Sequence, residues 1–197
     1  MLNDHHRLPI VYLMRHGQTE WNVQGRAQGR LDSPLTDLGW EQAARHAERL
    51  ASIPFTRAYS SPLGRARLTA DRVLTGREVP LTVLDDLAEL DCGDAAGLTV
   101  AERDIRFPDL RARRQADRFT TVLPGGERYA TARPRAQRAL QQLLTSDTGM
   151  VLIVGHEMIN RLLRMELCGL EAEDALWLSH PQDVIFRLHG GEETILT

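Results

Sequence analysis

Two histidines, His16 and His156, each follow directly after a short apolar run, Ile10–Met14 plus Arg15 in the first case and Val151–Val154 plus Gly155 in the second. Open α/β sheets gather their ligands at such strand ends. Arg15 precedes His16 and Gly17 follows it. An imidazole beside guanidinium groups suits phosphoryl transfer: the transition state of a phosphomonoester spreads charge over three oxygens, which planar arginine forks can hold. A neutral imidazole can displace the alcohol to give a phosphohistidine, provided its other nitrogen is held as a donor. Neighbouring arginines disfavour the protonated ring and keep it nucleophilic. The departing alkoxide needs a proton and the second step needs a base for water, so one carboxyl group changing roles is sufficient. Acidic residues are plentiful between Asp85 and Asp94.

The elements that must position these groups are legible as alternating strands and helices. Ile10–Met14 reads as a buried strand. Thr36 caps a helix whose stripe is Trp40, Ala43, Ala44, Ala47 and Leu50. Arg57–Ser60 reads as a second strand, with Ser61-Pro62 opening a helix whose inner face carries Ala66, Ala70, Val73 and Leu74. Leu81–Leu84 and Val151–Val154 are further strands, the latter feeding a helix with Ile159, Leu162, Leu163 and Leu167 inward and Gly169 at its stop. Pro134 is placed near the start of a helix with the stripe Ala136, Ala139, Leu140, Leu143 and Leu144. Asp183–Leu188 and Thr194–Leu196 are closing strands around a Gly190-Gly191 turn. This alternation predicts an α/β fold, a three-layer α/β/α sandwich around a mostly parallel, mixed central sheet. Residues 1–197 are expected to form a single domain, with a weakly patterned, charge-rich cap insertion at about 97–123.

Composition removes several alternatives. All 24 basic side chains are Arg, which excludes a phosphate-loop lysine, a Schiff-base lysine and a lysine general base. A net charge of −3 argues against nucleic acid as partner. Cys92 and Cys168 are too few for a disulfide framework, lack zinc-ligand spacing, and are expected to be reduced and inert. Neither a cleavable leader nor a membrane span is supported near the start, so a cytoplasmic location and no membrane partner are expected. Asp4-His5-His6 is read as a terminal polar stretch and not as a metal site. No metal and no cofactor is expected anywhere in the chain.

The two histidines sit in a longer constellation: Arg15-His16-Gly17-Gln18-Thr19-Glu20-Trp21-Asn22, Gln28-Gly29, Asp32-Ser33-Pro34-Leu35-Thr36 with Gly39, and Ser60-Ser61-Pro62 with Arg65-Ala66 and Thr69-Ala70. Leu87-Ala88-Glu89, Gly93-Asp94, Gly97-Leu98-Thr99, Gly125-Gly126-Glu127 and Gly155-His156 follow. From about Ile10 to Leu170 the chain resembles the histidine phosphatase superfamily, in its phosphoglycerate-mutase-like branch and its short phosphatase form. The resemblance implies that His16 attacks phosphorus, that Arg15, Arg65 and His156 bind the equatorial oxygens, and that Glu89 handles the leaving-group proton. Asn22 and Gln28 match positions that help to hold the phosphate. The activity so implied is that of a histidine acid-type phosphatase acting, without metal, on a small phosphorylated metabolite. A phosphoglycerate-type mutase is the alternative, disfavoured because the insertion is short. A non-catalytic phosphate sensor is disfavoured because Arg15, His16, Arg65, Glu89 and His156 are all retained.

Three features depart from the pattern or stand outside it. Ala95 and Ala96 occupy positions where many members carry Trp and Glu, which reshapes the pocket rim. Glu157 follows the second histidine where a small residue is common, and is expected to point away from the phosphate or to select an unusual substrate. The run Arg103, Arg106, Arg111, Arg113, Arg114 and Arg118 is interleaved with Asp104, Asp109 and Asp117 and reads as a solvated helical face, although it could meet an anionic group on the substrate.

Overall fold

The structure, a computed structural model, describes residues 9–146 and 148–196. Strands β1 (Ile10–Arg15), β2 (Phe55–Ser60), β3 (Leu81–Val83), β4 (Met150–Gly155), β5 (Ile185–His189) and β6 (Glu192–Leu196) form one six-stranded sheet in the order β3-β2-β4-β1-β5-β6. The β1–β4, β2–β4 and β2–β3 pairs are parallel, and β5 and β6 add two antiparallel pairings. The sheet is therefore mixed and mostly parallel at its centre, as expected. The carboxyl ends of β1, β4 and β2 lie side by side, with Arg15 opposite Gly155 and Ser60 opposite Val154. Two backbone bonds continue this register beyond the strands: the His16 N–H donates to Gly155 O and the Ser61 N–H to Val154 O, each at 3.1 Å. His16, Ser61 and His156 consequently emerge at one edge.

The sheet is covered on both faces. Helices α2 (Asp37–Arg49) and α3 (Gly64–Val73) pack on one side, against Tyr12, Met14, Ala58, Leu152 and Val154. Helices α6 (Tyr129–Ser146) and α7 (Glu157–Cys168) pack on the other, against Val11, Leu13, Tyr59, Val151 and Ile153. Consecutive residues of β1 and β4 point to opposite layers, and each needs an apolar side chain; hence the continuous apolar runs in the sequence. Each Leu or Ile fully buried in this way contributes about 1.5–3 kcal/mol. Short helices α1 (Glu20–Val23), α4 (Val100–Arg106), α5 (Leu110–Ala116) and α8 (Ala172–Ala175) complete the order. The first three lie in long connections, and Leu110 of α5 packs with Leu123 and Cys92 in a small separate apolar cluster. Among the described residues no helix is long and apolar enough to cross a membrane.

Two expectations about helices need correction. Thr36 does cap α2, its Oγ1 accepting from the Gly39 N–H at 3.1 Å. The inward face, however, runs through Gly39, Ala43, His46 and Leu50, and Trp40 is 40% exposed. The reason is a backbone contact: a Cβ at Gly39 would lie 2.1 Å from Gln18 O, and one at Gly17 would lie 2.4 Å from Gly39 O. This approach turns Gly39 inward and rotates Trp40 outward. Pro134 lies inside α6 and not near its start. The fully buried Tyr129, whose hydroxyl accepts from Arg161 Nη1 at 3.1 Å, anchors a first turn that precedes the proline. Asp4-His5-His6 lies outside the described residues, and among those described no group of three His, Cys, Asp or Glu is placed to hold a metal ion.

Because the Gly17–Gly39 contact seats the His16 turn on α2, Gly39→Ala is expected to destabilise the protein by about 1–3 kcal/mol through overpacking. Chemical denaturation measures this, and an unchanged midpoint would contradict the contact.

Candidate active site

His16 is 2% exposed, and its Nδ1 lies 2.7 Å from the carbonyl oxygen of Gly17. A carbonyl only accepts, so Nδ1 carries the hydrogen and Nε2 the lone pair. Burial holds the imidazole pKa well below its ordinary value, with Arg65 and Arg15 acting in the same direction and the Gly17 carbonyl opposing them. The ring is therefore neutral near pH 7 with a defined tautomer. Its Nε2 accepts a hydrogen bond from Arg65 Nε at 3.2 Å. The turn is itself braced, since the Gly17 N–H donates to Thr69 Oγ1 and that hydroxyl donates to Arg65 O.

Arg65 reaches the site from the first turn of α3 and is almost wholly enclosed. Its Nη1 bonds Leu31 O and Asp32 Oδ1, each at 2.7 Å, and its Nη2 bonds Gly29 O at 2.8 Å. This anchoring leaves Nε directed at His16 and locks the plane of the guanidinium. Arg15, at the end of β1, places Nη1 2.7 Å from Glu157 Oε2, while its Nε is buried without a hydrogen-bond partner.

His156 is fully buried, and its ring centroid stands 5.1 Å from that of His16. Burial, then Arg65 and His16, lower its pKa well below the usual range, so it too is neutral. Its Nε2 lies 2.7 Å from Ser61 Oγ, and that oxygen already accepts from the Leu63 N–H at 3.2 Å. The hydroxyl hydrogen is thus free to donate to Nε2, which puts the imidazole hydrogen on Nδ1, the nitrogen without a partner. In the sequence Ser61 reads only as a helix opening. Its contact with His156 depends on the β2–β4 register, which no local pattern discloses.

Glu89 is 6% exposed and held by backbone alone: Oε1 accepts from Leu90 N at 2.9 Å and Ile159 N at 3.0 Å, and Oε2 from Met158 N at 3.0 Å. Met158 and Ile159 lie in the first turn of α7, where N–H groups have no intrahelical acceptor. The carboxyl group is thereby held at the wall of a cavity of about 420 Å³ that His16, Arg15, Arg65, Asn22, Gln28 and Ala95 also line. His156, packed against the His16 ring, does not itself line the cavity. Asn22 Oδ1 is engaged by the Thr19 N–H and by Gln182 Nε2. Gln28 braces Thr19 Oγ1 through Nε2 at 2.8 Å. Both amides therefore hold the loop around His16 as well as facing the cavity. Cys92 lines the same wall, and burial, with Glu89 adding to it, pushes its thiol up to about 12, which makes it inert near neutrality as expected.

For Glu157 and for the arginine run, the first of the two alternatives that the sequence allows is corrected. Glu157 does not point away: it lines the cavity and bridges Arg15 and Arg161, the latter at 2.5 Å. Two cations offset the repulsion that a lone carboxylate would exert on phosphate. The Arg103–Arg118 run is not simply a solvated face. Arg106, Arg111 and Arg113 are exposed, but Arg103, Arg114 and Arg118 turn into the cavity.

Two outcomes are expected. Ser61→Ala releases the tautomer of His156 and lowers kcat/KM for an aryl phosphate by about tenfold without loss of fold; unaltered kinetics would contradict the relay. His16, His46, His156 and His180 all have lowered native pKa values, chiefly through burial, so the unfolded chain binds protons more readily than the native one. Their contribution is complete above the unfolded pKa near 6.5 and declines as pH falls below it, by up to about 1.4 kcal/mol per pH unit for each group. Urea midpoints measured from pH 8 to pH 5 should be level at first and then fall, and a level profile throughout would contradict the neutral assignments.

Similarity to known proteins extends over most of the chain. The histidine phosphatase superfamily (branch 1) matches residues 11–195. The chain is 32% identical over 167 residues to the uncharacterized phosphatase PhoE of Bacillus subtilis, covering 84% of this chain and 81% of the relative. It is 35% identical over 170 residues to the probable phosphoglycerate mutase GpmB of Proteus mirabilis, covering 82% and 76%. The crystal structure of a putative α-ribazole-5′-P phosphatase from Escherichia coli superposes with a TM-score of 0.85 at 25% identity, covering 96% of this chain and 95% of that one. With the resemblance extending over nearly the whole sequence and fold, the chain belongs to the histidine phosphatase superfamily.

Proposed function

We propose that the protein is a metal-independent phosphomonoester hydrolase that works through a phosphohistidine on His16. The observation that carries this reading is the neutral His16, its Nδ1 pinned to Gly17 O and its Nε2 in contact with Arg65, in a cavity shared with Arg15 and Glu89. In the first step the Nε2 lone pair forms a bond to phosphorus and the P–O ester bond breaks. The electron pair goes to the leaving oxygen, and Glu89 supplies its proton through Oε2, the carboxyl oxygen with the fewer backbone bonds. The imidazole becomes positive as the N–P bond forms, and the Gly17 carbonyl facing Nδ1–H stabilises that charge. In the second step water attacks phosphorus, Glu89 accepts its proton, and the N–P bond breaks to return the lone pair to Nε2. Arg15 and Arg65 hold the phosphoryl oxygens from the cavity wall, with Asn22 and Gln28 assisting, and the partnerless Nδ1–H of His156 is the third donor once the phosphoryl group is seated against the His16 ring.

The superfamily relationship and a relative named as a phosphatase support hydrolysis. The short segment at 97–123 favours hydrolysis over the mutase activity named for another relative. The partner in this reading is a small phosphorylated metabolite in the cytoplasm, neither nucleic acid nor membrane, in keeping with the net charge of −3.

Hydrolysis of p-nitrophenyl and phenyl phosphate in excess chelator tests the scheme. Activity is expected to persist without added metal and to fall by about 10³-fold or more in His16→Ala. Glu89→Gln is expected to depress phenyl phosphate turnover more than p-nitrophenyl phosphate turnover, because the poorer leaving group needs the proton more. A metal requirement, or activity that survives His16→Ala, would sink the mechanism. Isomerisation of a phosphoglycerate without release of phosphate would favour the mutase instead.

A further inference from the structure

Seven arginines and two glutamates line the cavity, in a chain whose net charge is −3. Four of the arginines have carboxylate partners: Arg15 and Arg161 share Glu157, Arg65 meets Asp32, and Arg26 meets Glu102. Arg103, Arg114 and Arg118 have no ion-pair partner among the described residues. The Nε atoms of Arg103 and Arg118 are buried without a hydrogen-bond acceptor. Arg118 is nevertheless held in place, its Nη1 donating to Leu176 O at 2.8 Å and its guanidinium stacked 3.7 Å over the ring of Trp177. Burial lowers the pKa of Arg114; Tyr129 and Cys92 oppose this, while Arg103 and Arg161 reinforce it as like charges.

These three side chains stand at a boundary. A second cavity of about 450 Å³, walled by Val100, Leu110 and Trp177 together with Gln115 and the Asp104–Arg111 ion pair, shares Arg103, Arg114, Arg118 and Leu123 with the first. On one side of the arginines lies the His16 chamber. On the other lies a mostly apolar space with an exposed tryptophan face.

Resting on the phosphatase reading, we infer that the natural substrate is a phosphomonoester whose alcohol half bears a second anionic group, held by Arg103, Arg114 and Arg118, and continues as an apolar or planar body into the second cavity beside Trp177. In that reading the phosphoryl group is met by Arg15, Arg65 and His156. A neutral alcohol would leave three guanidinium groups that line both cavities, none of them ion-paired among the described residues, without a counter-charge. A carboxylate or second phosphate supplies one and finds fork-shaped donors ready. Because this contact is remote from phosphorus, it can select the substrate and contribute binding to the transition state.

The test compares kcat/KM for phenyl phosphate, 4-carboxyphenyl phosphate, 1,4-phenylene bisphosphate and 4′-carboxybiphenyl-4-yl phosphate in the wild type, Arg103→Gln, Arg114→Gln and the double variant. The wild type is expected to favour at least one of the three doubly anionic esters over phenyl phosphate by about tenfold or more, which also tells carboxylate from phosphate and short reach from long. Each substitution should lower that ratio, and the double variant should bring it close to one; the variants control for differences in leaving group. A ratio near one in the wild type for all three, or a preference that the double variant retains, would overturn the inference. Calorimetric titration of the same esters into His16→Ala reads the preference as affinity. If the wild type hydrolyses none of them, a preference in affinity that is lost with Arg103 and Arg114 upholds the second-anion site while the phosphatase reading fails, and equal affinities overturn the site itself.

Discussion

The hydrogen bond from His16 Nδ1 to the Gly17 carbonyl determines which nitrogen of the imidazole can act, and it exists only because the chain turns sharply after β1. That turn is possible because Gly17 and Gly39 allow two backbones to meet where side chains would collide. Thr69 holds the Gly17 N–H, and α3 carries both Thr69 and Arg65, so the same helix that braces the turn delivers the guanidinium to Nε2. Displacing α2 or α3 would thus disturb tautomer, orientation and electrostatics together. The two glycines act by what they lack, and no side chain could take their place.

Burial performs a second task around this bond. In water a histidine is partly protonated near neutrality. Enclosed at the sheet edge and facing two arginines, both His16 and His156 are held neutral. Neutrality leaves each ring with one donor and one acceptor nitrogen, and the surroundings allot them in opposite senses. Gly17 O takes the hydrogen of His16 at Nδ1, so its Nε2 is a lone pair. Ser61 can donate to Nε2 of His156, so its Nδ1 is a donor. A ring that presents a lone pair and a ring that presents an N–H are thus made from the same residue type by one carbonyl and one hydroxyl; in the proposed reaction they are the nucleophile and a phosphate-binding donor.

Much of the fold was legible because each central strand is apolar on both faces and each inner helix stripe is regular; Ala66, Ala70 and Val73 of α3 are all fully buried, as the spacing predicts. The strand ends also marked His16 and His156 without structural knowledge. Legibility failed where orientation depends on contacts distant in sequence. Trp40 fits the apolar stripe of α2, but Gly39 must face Gln18, and one residue of helix rotates the indole into solvent. Ser61 becomes a partner of His156 only through the register of β2 on β4. In α4 and α5 charged residues occupy every side and only Leu110 is buried, so hydrophobic periodicity had no power to orient Arg103, Arg114 and Arg118.

Glu157 illustrates how position alone misleads about charge. A carboxylate next to a phosphate site reads as a repulsive fault, yet Arg161 lies four residues further along α7 and pairs with it across one helical turn, a relation already present in the sequence. Once Arg161 has neutralised it, the second carboxylate oxygen is available to orient Arg15 at the end of β1. Without that constraint Arg15 would be a long side chain free to turn toward solvent, losing several rotamers whenever it gathered a ligand. Glu157 therefore converts part of the entropy loss of binding into a feature of the folded state. It also absorbs cationic charge near His16, so that the arginines of the cavity without an ion-pair partner among the described residues are Arg103, Arg114 and Arg118, where the two cavities meet.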